Sequence, residues 1–422
     1  MRCVPFEPSF AMLSRRRGVI AICIFALLLY VYWRRLAGPN TPEGLLSSAT
    51  RDTFNDTLGF EKIFVINLLS RADRRHGMAQ AGAASNLTFD WIDGIPGSQF
   101  LDDTSLAAGE GHSAGARGSY MSHMKALKAI TRENLGSALI FEDDIDWDVR
   151  LKSQLDTFAR ASRTWLREAN QERQQVELWK SAPSLFVGKR GSESASMREP
   201  EGDKMGVRPG VQSIYGDGWD VLWLGHCGAD FPDEQSPASP LRIVVPKDET
   251  VPAPKHLKPH PFALRDKLGE IYPPHTRVVH AVDGNVCTLA YAVSHQGARK
   301  LLREFDAKFD SQWDLILQKW CDRGHASNTT LPIDPKPASS GESDQPRPEA
   351  NPICLTVQPP LFSHRYVREG TSNIQGQGGG FARGVGTPYI RLSVHDNLEK
   401  LMKGVRETEM IDQLADDGVA IW

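Results

Sequence analysis

The feature that most constrains the fold is a short apolar run that ends in three adjacent acidic residues. Residues 137–146 read Ser-Ala-Leu-Ile-Phe-Glu-Asp-Asp-Ile-Asp, and the adjacent acids are Glu142, Asp143 and Asp144. Four consecutive apolar residues without helical periodicity predict a strand buried on both faces, as in the centre of an α/β sheet. Ligands of such sheets bind beyond the carboxyl ends of the strands. We therefore expect these acids at the edge of a ligand site.

The acidic residues have two interpretations. Three adjacent carboxylates repel one another unless a cation neutralises them. Carboxylate oxygens are preferred ligands of hard divalent cations, so one interpretation is a metal site that serves a phosphate-bearing substrate. The other is a solvated acidic turn after the strand. Asp146, two residues beyond the triplet, is expected to face solvent.

The segments on either side of this run alternate between strand and helix patterns. Their order, strand, helix, strand, helix, strand, is typical of a mostly parallel sheet flanked by helices. The predicted strands are 62–68, 88–92, 219–225 and 285–293, and residues 353–361 are predicted to return to the core. The predicted helices are 70–84, 119–133 capped by Ser119, 149–180, one capped by Ser294, 313–320 and 397–414. Residues 111–118 are predicted to form a loop. Polar or Pro-rich stretches at about 181–212, 231–274 and 332–352 are predicted to be irregular insertions with little core of their own.

The overall composition excludes some classes of protein. A chain of 422 residues with a formal net charge of -3 lacks the basic excess of nucleic-acid-binding proteins. Six cysteines are too few for a disulfide scaffold, and no zinc-type spacing is present. Two of them, Cys3 and Cys23, lie near the start. The other four, Cys227, Cys287, Cys321 and Cys354, allow three disulfide pairings between which the sequence does not choose.

An uncharged segment near the start has the pattern of a membrane anchor. Residues 18–33 carry no charge and lie between Arg15-Arg16-Arg17 and Arg34-Arg35. As a helix they would span about 24 Å, close to the thinner membranes of the early secretory pathway. A cleaved signal peptide is the alternative, but Arg34-Arg35 lies where small residues are expected. We therefore predict a cytosolic tail at 1–17, a signal anchor at 18–35 and a stem at 36–59.

Three glycosylation sequons agree with a lumenal catalytic part, at Asn55, Asn86 and Asn328. The predicted location is thus the Golgi or endoplasmic reticulum membrane, as a single-pass type II protein.

Several segments, in their order along the chain, resemble glycosyltransferase family 25, which includes lipooligosaccharide and collagen galactosyltransferases. The resemblance covers about residues 60–375, and each motif is short, so it is their order that is specific. The matching segments are 65–68 with Arg71, Asp73, Arg74 and Arg75; 91–94; 118–123; 140–144; 219–225; 290–294 with Gly297 and Ala298; 314–315; 359–362; and 372–374.

The resemblance implies a GT-A-like, Rossmann-type α/β fold with a catalytic domain at about 60–395, followed by a helical tail at 396–422. It also implies an inverting transferase that uses a UDP-sugar, most often UDP-galactose, with Mn²⁺ or Mg²⁺. The acceptor would be a glycan, protein or lipid. Anchor, stem and sequons together indicate a eukaryotic, fungal-type member.

The predicted metal ligands are Asp144 and Glu142, with His364 as a third ligand from the C-terminal part. Asp143 is assigned to hydrogen bonding with the donor sugar or ribose.

Further donor-binding candidates are Asn67 and Asp93 at strand ends, and Arg71 and Arg74 on the helix that follows the first strand. Turn chemistry and a solvated helix face are their alternative explanations. His123 shares a helix face with Tyr120 and Leu127, so a core or supporting role is its alternative.

An inverting transfer needs a general base for the acceptor hydroxyl. Asp314 is the first candidate, with helix capping as its alternative explanation, and Asp283 and Asp220 are its rivals. Two other functions compete with the transferase: a catalytically inactive lumenal lectin or scaffold, and a metal-dependent phosphoesterase.

Overall fold

The apolar run before the acidic triplet forms strand β3 (Ser137–Glu142) in the computed structural model of the chain. The side chains of Ala138, Leu139, Ile140 and Phe141 are fully buried, as the sequence predicts for a central strand. The structure describes residues 52–100, 113–181, 213–232, 241–258, 266–306, 309–324, 351–367 and 386–420. All of these except Asp52 belong to one compact unit, Thr53–Trp422. That unit includes residues 53–59, which the sequence assigns to the stem.

The described strands form one mixed sheet that is largely parallel. Its strands are β1 (Lys62–Asn67), β2 (Asp90–Asp93), β3, β4 (Ile145–Trp147), β5 (Val221–Gly225), β6 (Ile243–Val245), β7 (Arg277–Ala281), β8 (Ala290–Ser294), β9 (Cys354–Gln358) and β10 (Phe362–His364). The main path runs β2-β1-β3-β8-β5-β9-β7-β6, and β10 pairs with both β4 and β5. The pairs β1–β2, β1–β3 and β5–β9 are parallel.

One central strand runs against its neighbours, and this decides what reaches the site. β8 is antiparallel to both β3 and β5. Its amino end therefore lies at the edge where β1, β3 and β5 have their carboxyl ends. The loop that precedes β8 arrives at the same edge as the acidic triplet. The sequence predicts a strand at 285–293, whereas residues 285–289 belong to that loop.

Helices cover the sheet and supply much of its core. They are α1 (Ala72–Ala84), α2 (Ala114–Arg132), α3 (Leu151–Ser181), α4 (Lys267–Ile271), α5 (His295–Phe305), α6 (Trp313–Asp322) and α7 (Leu398–Met402). The main hydrophobic cluster joins α2, α5 and α6 to β3, β5 and β8. Ser294 caps α5 as predicted, because its hydroxyl accepts a hydrogen bond from the Gly297 amide at 3.0 Å.

Helix α2 begins earlier than the glycines around it suggest. The sequence predicts a loop at 111–118 and a cap at Ser119, but the helix starts at Ala114 and Ser113 caps it. Gly118 lies within the helix, and a larger residue would not fit there, because a Cβ would lie 2.4 Å from the Ile95 carbonyl oxygen. The glycine therefore allows close packing rather than a turn. Ser119 consequently lies inside the helix.

The Pro-rich stretch at 231–274 is more ordered than predicted where the structure describes it. It contributes β6, which pairs with β7, and the short helix α4. A second hydrophobic cluster forms there, and its buried members are Phe231, Leu257, Leu268, Val278 and Tyr389. The prediction of an irregular stretch is therefore wrong at β6 and α4, and the cluster is completed from outside the stretch by Val278 on the unpredicted strand β7 and by Tyr389.

The C-terminal helix predicted at 397–414 is also wrong. α7 has five residues and ends at Met402, two residues before Gly404, which has a left-handed φ of +66°. The chain then returns to the domain, where Leu414 is fully buried and Asn397 bonds to the Ser393 and Ile411 carbonyls. The apolar residues of this segment thus pack on the domain through turns instead of one helix face.

The predicted membrane anchor at 18–35 lies outside the described residues, as do residues 1–17, 36–51, 182–212, 332–350 and Asn328. Across the described ranges, no helix has both the length and the apolar character that a membrane span requires.

Candidate active site

A pocket opens at the sheet edge where β1, β2 and β3 end. The acids Glu142, Asp143 and Asp144 line it together with Arg74 from α1. The first turns of α2 and the loop after β2 form one wall. The loop before β8, the first turn of α6 and the end of β10 form the rest of the lining. Residues that contribute to these walls are Gly94, Ile95, Gly115, Ser119, Ser122, His123, Cys227, Cys287, Thr288, Gln312, Trp313, Asp314, His364 and Tyr366.

Asp143 is held in place by two donors. Asn67 Nδ2 donates to its Oδ2 at 2.8 Å, and Arg74 Nη1 donates to its Oδ1 at 2.7 Å. Burial and the neighbouring charge of Asp144 raise the pKa of Asp143, while Arg74 and Asn67 oppose this shift. Asn67 itself is buried at the end of β1, and its Nδ2 also donates to the Arg71 carbonyl at 3.1 Å. Asn67 therefore fixes both the carboxylate and the turn into α1.

Asp144 lies between two cationic side chains. Its Oδ2 is 2.8 Å from Arg74 Nη1 and 3.2 Å from His364 Nε2. Burial opposes ionisation, but the charges of His364 and Arg74 outweigh it and hold the pKa of Asp144 well below its ordinary value. For His364, burial lowers the pKa, yet the Asp144 carboxylate produces a net rise. The three residues thus form one charged cluster beneath the pocket.

Glu142 faces a different set of partners. Its Oε1 accepts from the Thr288 hydroxyl at 2.9 Å and lies 3.7 Å from His123 Nε2. His123 Nδ1 is 2.9 Å from the Tyr291 hydroxyl, which accepts from Trp313 Nε1 at 3.1 Å. The Tyr291 hydroxyl can donate its proton to Nδ1, and in that tautomer the imidazole proton lies on Nε2 and faces Glu142.

His123 combines a pocket position with core contacts. It is almost fully buried, and its ring stacks on Trp313 with 5.8 Å between centroids. These contacts agree with the supporting role that the sequence gives as its alternative.

The donor-binding candidates Arg71 and Asp93 do not line the pocket in the described part of the chain, although the charge of Arg71 helps to lower the pKa of Asp144. Arg71 makes a two-pronged ion pair with the exposed Asp73, through Nε and Nη2. Asp93 is half-exposed and lies 4.0 Å from Arg75, and the residues after it, Gly94 and Ile95, line the pocket in its place. The structure therefore brings together Asn67, Arg74, Asp143 and Asp144, but not the side chains of Arg71 and Asp93.

The three general-base candidates occupy different places. Asp314, in the first turn of α6, lines the pocket, and burial raises its pKa. Its Oδ2 accepts from the Cys287 amide at 3.0 Å and its Oδ1 from the Leu315 amide at 2.9 Å. Asp220 precedes β5 at the opposite edge of the sheet and binds Lys300 at 2.8 Å. Asp283 is absent from the pocket lining in the described part of the chain.

Asp146 does not face solvent, so that expectation is wrong. Its side chain is fully buried and accepts hydrogen bonds from the Thr387 and Ser393 hydroxyls and the Trp147 amide. It anchors the C-terminal segment to β4. Because β4 pairs with β10, the same contacts support the strand that carries His364.

The residues around Asp144 supply metal-ligand atoms without forming a complete metal site. Within the described ranges, no group of three or more His, Cys, Asp and Glu residues is arranged to hold a metal ion. Asp144 Oδ1 and His364 Nδ1 are buried and have no hydrogen-bond partner. Carboxylate oxygens with one imidazole are donors that Mn²⁺ accepts, so the residue types fit this ion. In the structure, Arg74 and His364 provide the positive charge beside Asp144.

The structure adds site residues that the sequence analysis missed. Trp313, Thr288, Tyr366 and the cysteines 227 and 287 all line the pocket. Of the three open disulfide pairings, the structure has Cys227–Cys287 and Cys321–Cys354. The position of Cys227 two residues after the strand at 221–225 is a signal that places it near the same edge as the triplet. Thr288 had no such signal, because its place depends on the antiparallel direction of β8.

Comparisons with known proteins agree on one family. The model of glycosyltransferase family 25 (LPS biosynthesis protein) matches residues 60–186, which include Asn67, Arg74, His123 and the acidic triplet.

The curated relatives include two from Xenopus laevis and one from Danio rerio. Procollagen galactosyltransferase 1-A of Xenopus laevis is 23% identical over 215 residues, 47% of this chain and 31% of the relative. Procollagen galactosyltransferase 1 of Danio rerio is 24% identical over 231 residues, 51% of this chain and 34% of the relative. Procollagen galactosyltransferase 1-B of Xenopus laevis is 25% identical over 211 residues. The match spans about a third of the length of these relatives. Together the family match and the relatives agree with the resemblance seen in the sequence: residues 60–186 of the chain match glycosyltransferase family 25.

Proposed function

We propose that this chain is a metal-dependent inverting glycosyltransferase with a GT-A-type donor site. In this proposal it moves a hexose, galactose, from UDP-galactose to a hydroxyl of a glycan, protein or lipid acceptor. The observation that carries the proposal is the cluster at the end of β3, where Asp143 and Asp144 meet Arg74 and His364 in a pocket. The family match covers the acidic triplet and Arg74, which supports the same reading.

The charges of the cluster suit the departure of a diphosphate. Breaking a glycosyl–phosphate bond leaves negative charge on the leaving group, and fixed cations nearby stabilise that charge. Arg74 already lies in the pocket, and His364 gains positive character from Asp144. Mn²⁺ or Mg²⁺ held by Asp144, Glu142 and His364 would supply Lewis-acid stabilisation of the same leaving group. Asp143, fixed by Asn67 and Arg74, is oriented to accept hydrogen bonds from donor hydroxyls.

Asp314 is the residue we assign as general base. It lines the pocket in the first turn of α6, and its raised pKa makes it a better proton acceptor than an ordinary aspartate. The amides of Cys287 and Leu315 each donate to one of its oxygens, which orients the carboxylate. In this role Asp314 takes the proton of the acceptor hydroxyl as the new glycosidic bond forms.

The direct test is UDP release by the full chain from a panel of UDP-sugars, with Mn²⁺, with Mg²⁺ and with a chelator. The acceptors include water, free sugars and procollagen, the last because the relatives are named for it. We expect UDP release to be fastest with UDP-galactose and to be lost with the chelator. Binding of a UDP-sugar without release would instead indicate the inactive lectin. Turnover of simple phosphoesters without any acceptor would indicate the phosphoesterase.

The Asp144 carboxylate is central to this proposal, so its removal is the first mutational prediction. Asp144→Ala should reduce UDP release at least ~100-fold, because the site loses a ligand of the cation that stabilises the negative charge of the departing diphosphate. The control is Asp90→Asn, at the start of β2, where a half-exposed carboxylate pairs with Lys62. The control should keep wild-type activity. Retained activity in Asp144→Ala with a native circular dichroism spectrum would remove the metal assignment.

We further propose that the catalytic domain is lumenal, in the Golgi or endoplasmic reticulum, behind a type II anchor at 18–35. Two disulfides in the chain support an oxidising compartment. Asn55 and Asn86 are exposed, and the two sequons adjoin, since the Thr88 hydroxyl donates to Asp56 at 2.8 Å. Both asparagines precede the strands β1 and β2, at the sheet edge opposite the pocket, so glycans there would leave the pocket open.

Glycosylation tests that location. When the full chain is expressed in a eukaryotic secretory host, Asn55→Gln and Asn86→Gln should each remove the mass of one glycan, and glycosidase treatment should equalise all forms. The readout is mass, because Asn55 Oδ1 accepts from the Gly59 amide at 2.9 Å and Asn86 has a φ of +51°, so either substitution also lowers the melting temperature. A wild-type mass that glycosidase does not change would contradict the lumenal assignment.

A further inference from the structure

One loop contacts two acidic side chains of the pocket. Residues 284–289, which we call the cysteine loop, lie in the connection between β7 and β8 and lead directly into β8. The Cys287 amide donates to Asp314 Oδ2 at 3.0 Å, and the Thr288 hydroxyl donates to Glu142 Oε1 at 2.9 Å. The Leu289 carbonyl also accepts from the Glu142 amide at 3.0 Å. The positions of Asp314 and Glu142 therefore depend on the conformation of this loop.

The cysteine loop has a backbone conformation that needs outside support. Gly284 has a φ of +61° and Cys287 a φ of +64°. The left-handed region is unfavourable for a residue with a Cβ, so Cys287 would not hold this conformation by local preference. The Cys287 amide points at Asp314 only in this conformation of the loop. The support must therefore come from contacts to other parts of the chain.

The segment after β5 supplies that support. The Cys227 amide donates to the Val286 carbonyl at 2.8 Å, and the Val286 amide donates to the Gly228 carbonyl at 3.2 Å. Trp223 Nε1 donates to the Cys287 carbonyl at 2.9 Å. The Cys227–Cys287 disulfide joins the same two segments covalently and itself lines the pocket. It lies within one residue of both hydrogen bonds that orient Asp314 and Glu142.

The second disulfide provides a comparison within the same molecule. Cys321–Cys354 joins the last turn of α6 to the start of β9. Both of its cysteines are buried in the main hydrophobic cluster, and neither lines the pocket in the described part of the chain. The two bridges thus tether regions at the two ends of α6. The first lies beside Asp314, and the second lies in the core.

We propose that the Cys227–Cys287 disulfide is a positioning element of the active site. It holds the cysteine loop so that the Cys287 amide orients Asp314 and the Thr288 hydroxyl orients Glu142. Cys321–Cys354, by contrast, contributes to stability alone. The part of this proposal that concerns turnover rests on the proposed function, whereas the part that concerns the order of the first turn of α6 does not.

Two double variants test the proposal, Cys227→Ala/Cys287→Ala and Cys321→Ala/Cys354→Ala as its matched control. Both should lower the melting temperature. Hydrogen exchange below the melting temperatures should become faster at 284–289 and 312–318 in the first variant, and should stay at the wild-type rate there in the second. Wild-type exchange at 312–318 in the first variant, or equal acceleration in both, would overturn the positioning role whether or not the chain is a transferase.

Turnover gives the second readout. In the first variant kcat for UDP release should fall roughly tenfold or more while KM for UDP-galactose stays within about threefold, because a misplaced base slows the chemical step. The control variant should keep both constants. An equal loss of kcat in the two variants would contradict the proposal. If wild-type protein releases no UDP from any UDP-sugar, the proposed function fails and hydrogen exchange alone decides the positioning role.

If the Cys227→Ala/Cys287→Ala variant does not fold, mild reduction of the wild-type protein takes its place. Cys227 and Cys287 are partly exposed, whereas Cys321 and Cys354 are buried, so of the two disulfides a mild reductant should open the first alone, and an alkylating agent should then label Cys227 and Cys287 but not Cys321 or Cys354. The labelled protein should show the same faster exchange at 312–318 as the first double variant. Unchanged exchange after complete labelling of Cys227 and Cys287 would overturn the proposal.

Discussion

At the scale of single residues, the site balances negative charge with cations that the protein itself supplies. Arg74 contacts both Asp143 and Asp144 with one nitrogen, at 2.7 Å and 2.8 Å. The two aspartates respond in opposite ways: the pKa of Asp143 is raised by burial and by its neighbour, and that of Asp144 is lowered by His364 and Arg74. The pKa values of two adjacent carboxylates in a shared low-dielectric site are expected to move apart in this way.

Asp314 gives a residue-scale prediction that separates chemistry from folding. Asp314→Asn should lower kcat at least ~100-fold, because an amide cannot take the acceptor proton. The amide oxygen can still accept from the Cys287 amide, whereas the amide NH2 cannot accept from the Leu315 amide, so Tm should fall slightly while the fold and KM for UDP-galactose are kept. UDP-release kinetics measure this. The control is the exposed Asp310, four residues earlier, whose change to Asn should leave kcat at the wild-type value. A kcat within threefold of wild type in Asp314→Asn would exclude the general-base role.

Single-residue predictions from the sequence were best where local pattern and site coincide. Asn67 and Asp143 are each at the end of a strand that apolar periodicity predicts, and the two side chains touch at 2.8 Å. Asp146 was misread because its burial depends on Thr387 and Ser393, more than 200 residues further along the chain. Nothing local to Asp146 distinguishes it from the acids that precede it. A contact of such sequence separation is set by the fold as a whole.

At the scale of elements, helix α5 depends on a cap that both the sequence and the structure identify. Ser294→Ala removes the acceptor for the Gly297 amide, which should cost on the order of 1 kcal/mol of unfolding free energy and lower Tm by about 2 °C. Thermal unfolding followed by circular dichroism measures the change. The control is Ser153→Ala on α3, where the serine is exposed and caps nothing, so Tm should stay within about 1 °C. An unchanged Tm in Ser294→Ala would contradict the capping role.

Elements were predictable from periodicity, but their directions were not. The core strands β1, β3 and β5 have enough consecutive apolar residues to be recognised in the sequence. The antiparallel direction of β8 follows from its pairing with β3 and β5, and no residue within β8 encodes it. That direction brings Thr288 and Cys287 to the pocket. The sequence alone therefore does not predict that the loop before β8 lines the pocket.

Helix boundaries are hard to predict at glycines, because a glycine can allow close packing inside a helix as well as a turn at its end. Gly118 lies inside α2, where the loop at 95–97 approaches the helix so closely that a side chain would not fit. Gly404, in contrast, does end a helix, since its φ of +66° stops α7 after five residues. The sequence gives both glycines the same appearance, and only the neighbouring backbone distinguishes the two uses.

At the scale of the whole molecule, Asp266 should make stability depend on pH. Its carboxylate accepts from the Leu268 amide at 2.9 Å at the start of α4, beside Tyr389 and near Asp230. Burial raises its pKa from 3.8 to about 6, and the charge of Asp230 adds to this rise. The folded state therefore binds a proton more tightly than the unfolded chain. This contribution to stability is complete below pH 3.8 and is lost as the pH rises through 6.

Comparison with Asp266→Asn isolates this contribution, because the other titrating groups are common to both proteins and cancel. Asparagine keeps the acceptor for the Leu268 amide but does not titrate. Between pH 4.5 and 7.5, the unfolding free energy of wild type relative to the variant should fall by on the order of 2 kcal/mol. Urea denaturation at both pH values measures it. Asp417→Asn, at an exposed position, should show no such change relative to wild type. A wild-type-minus-variant difference that is the same at both pH values would mean that Asp266 is ionised equally in the folded and unfolded chain.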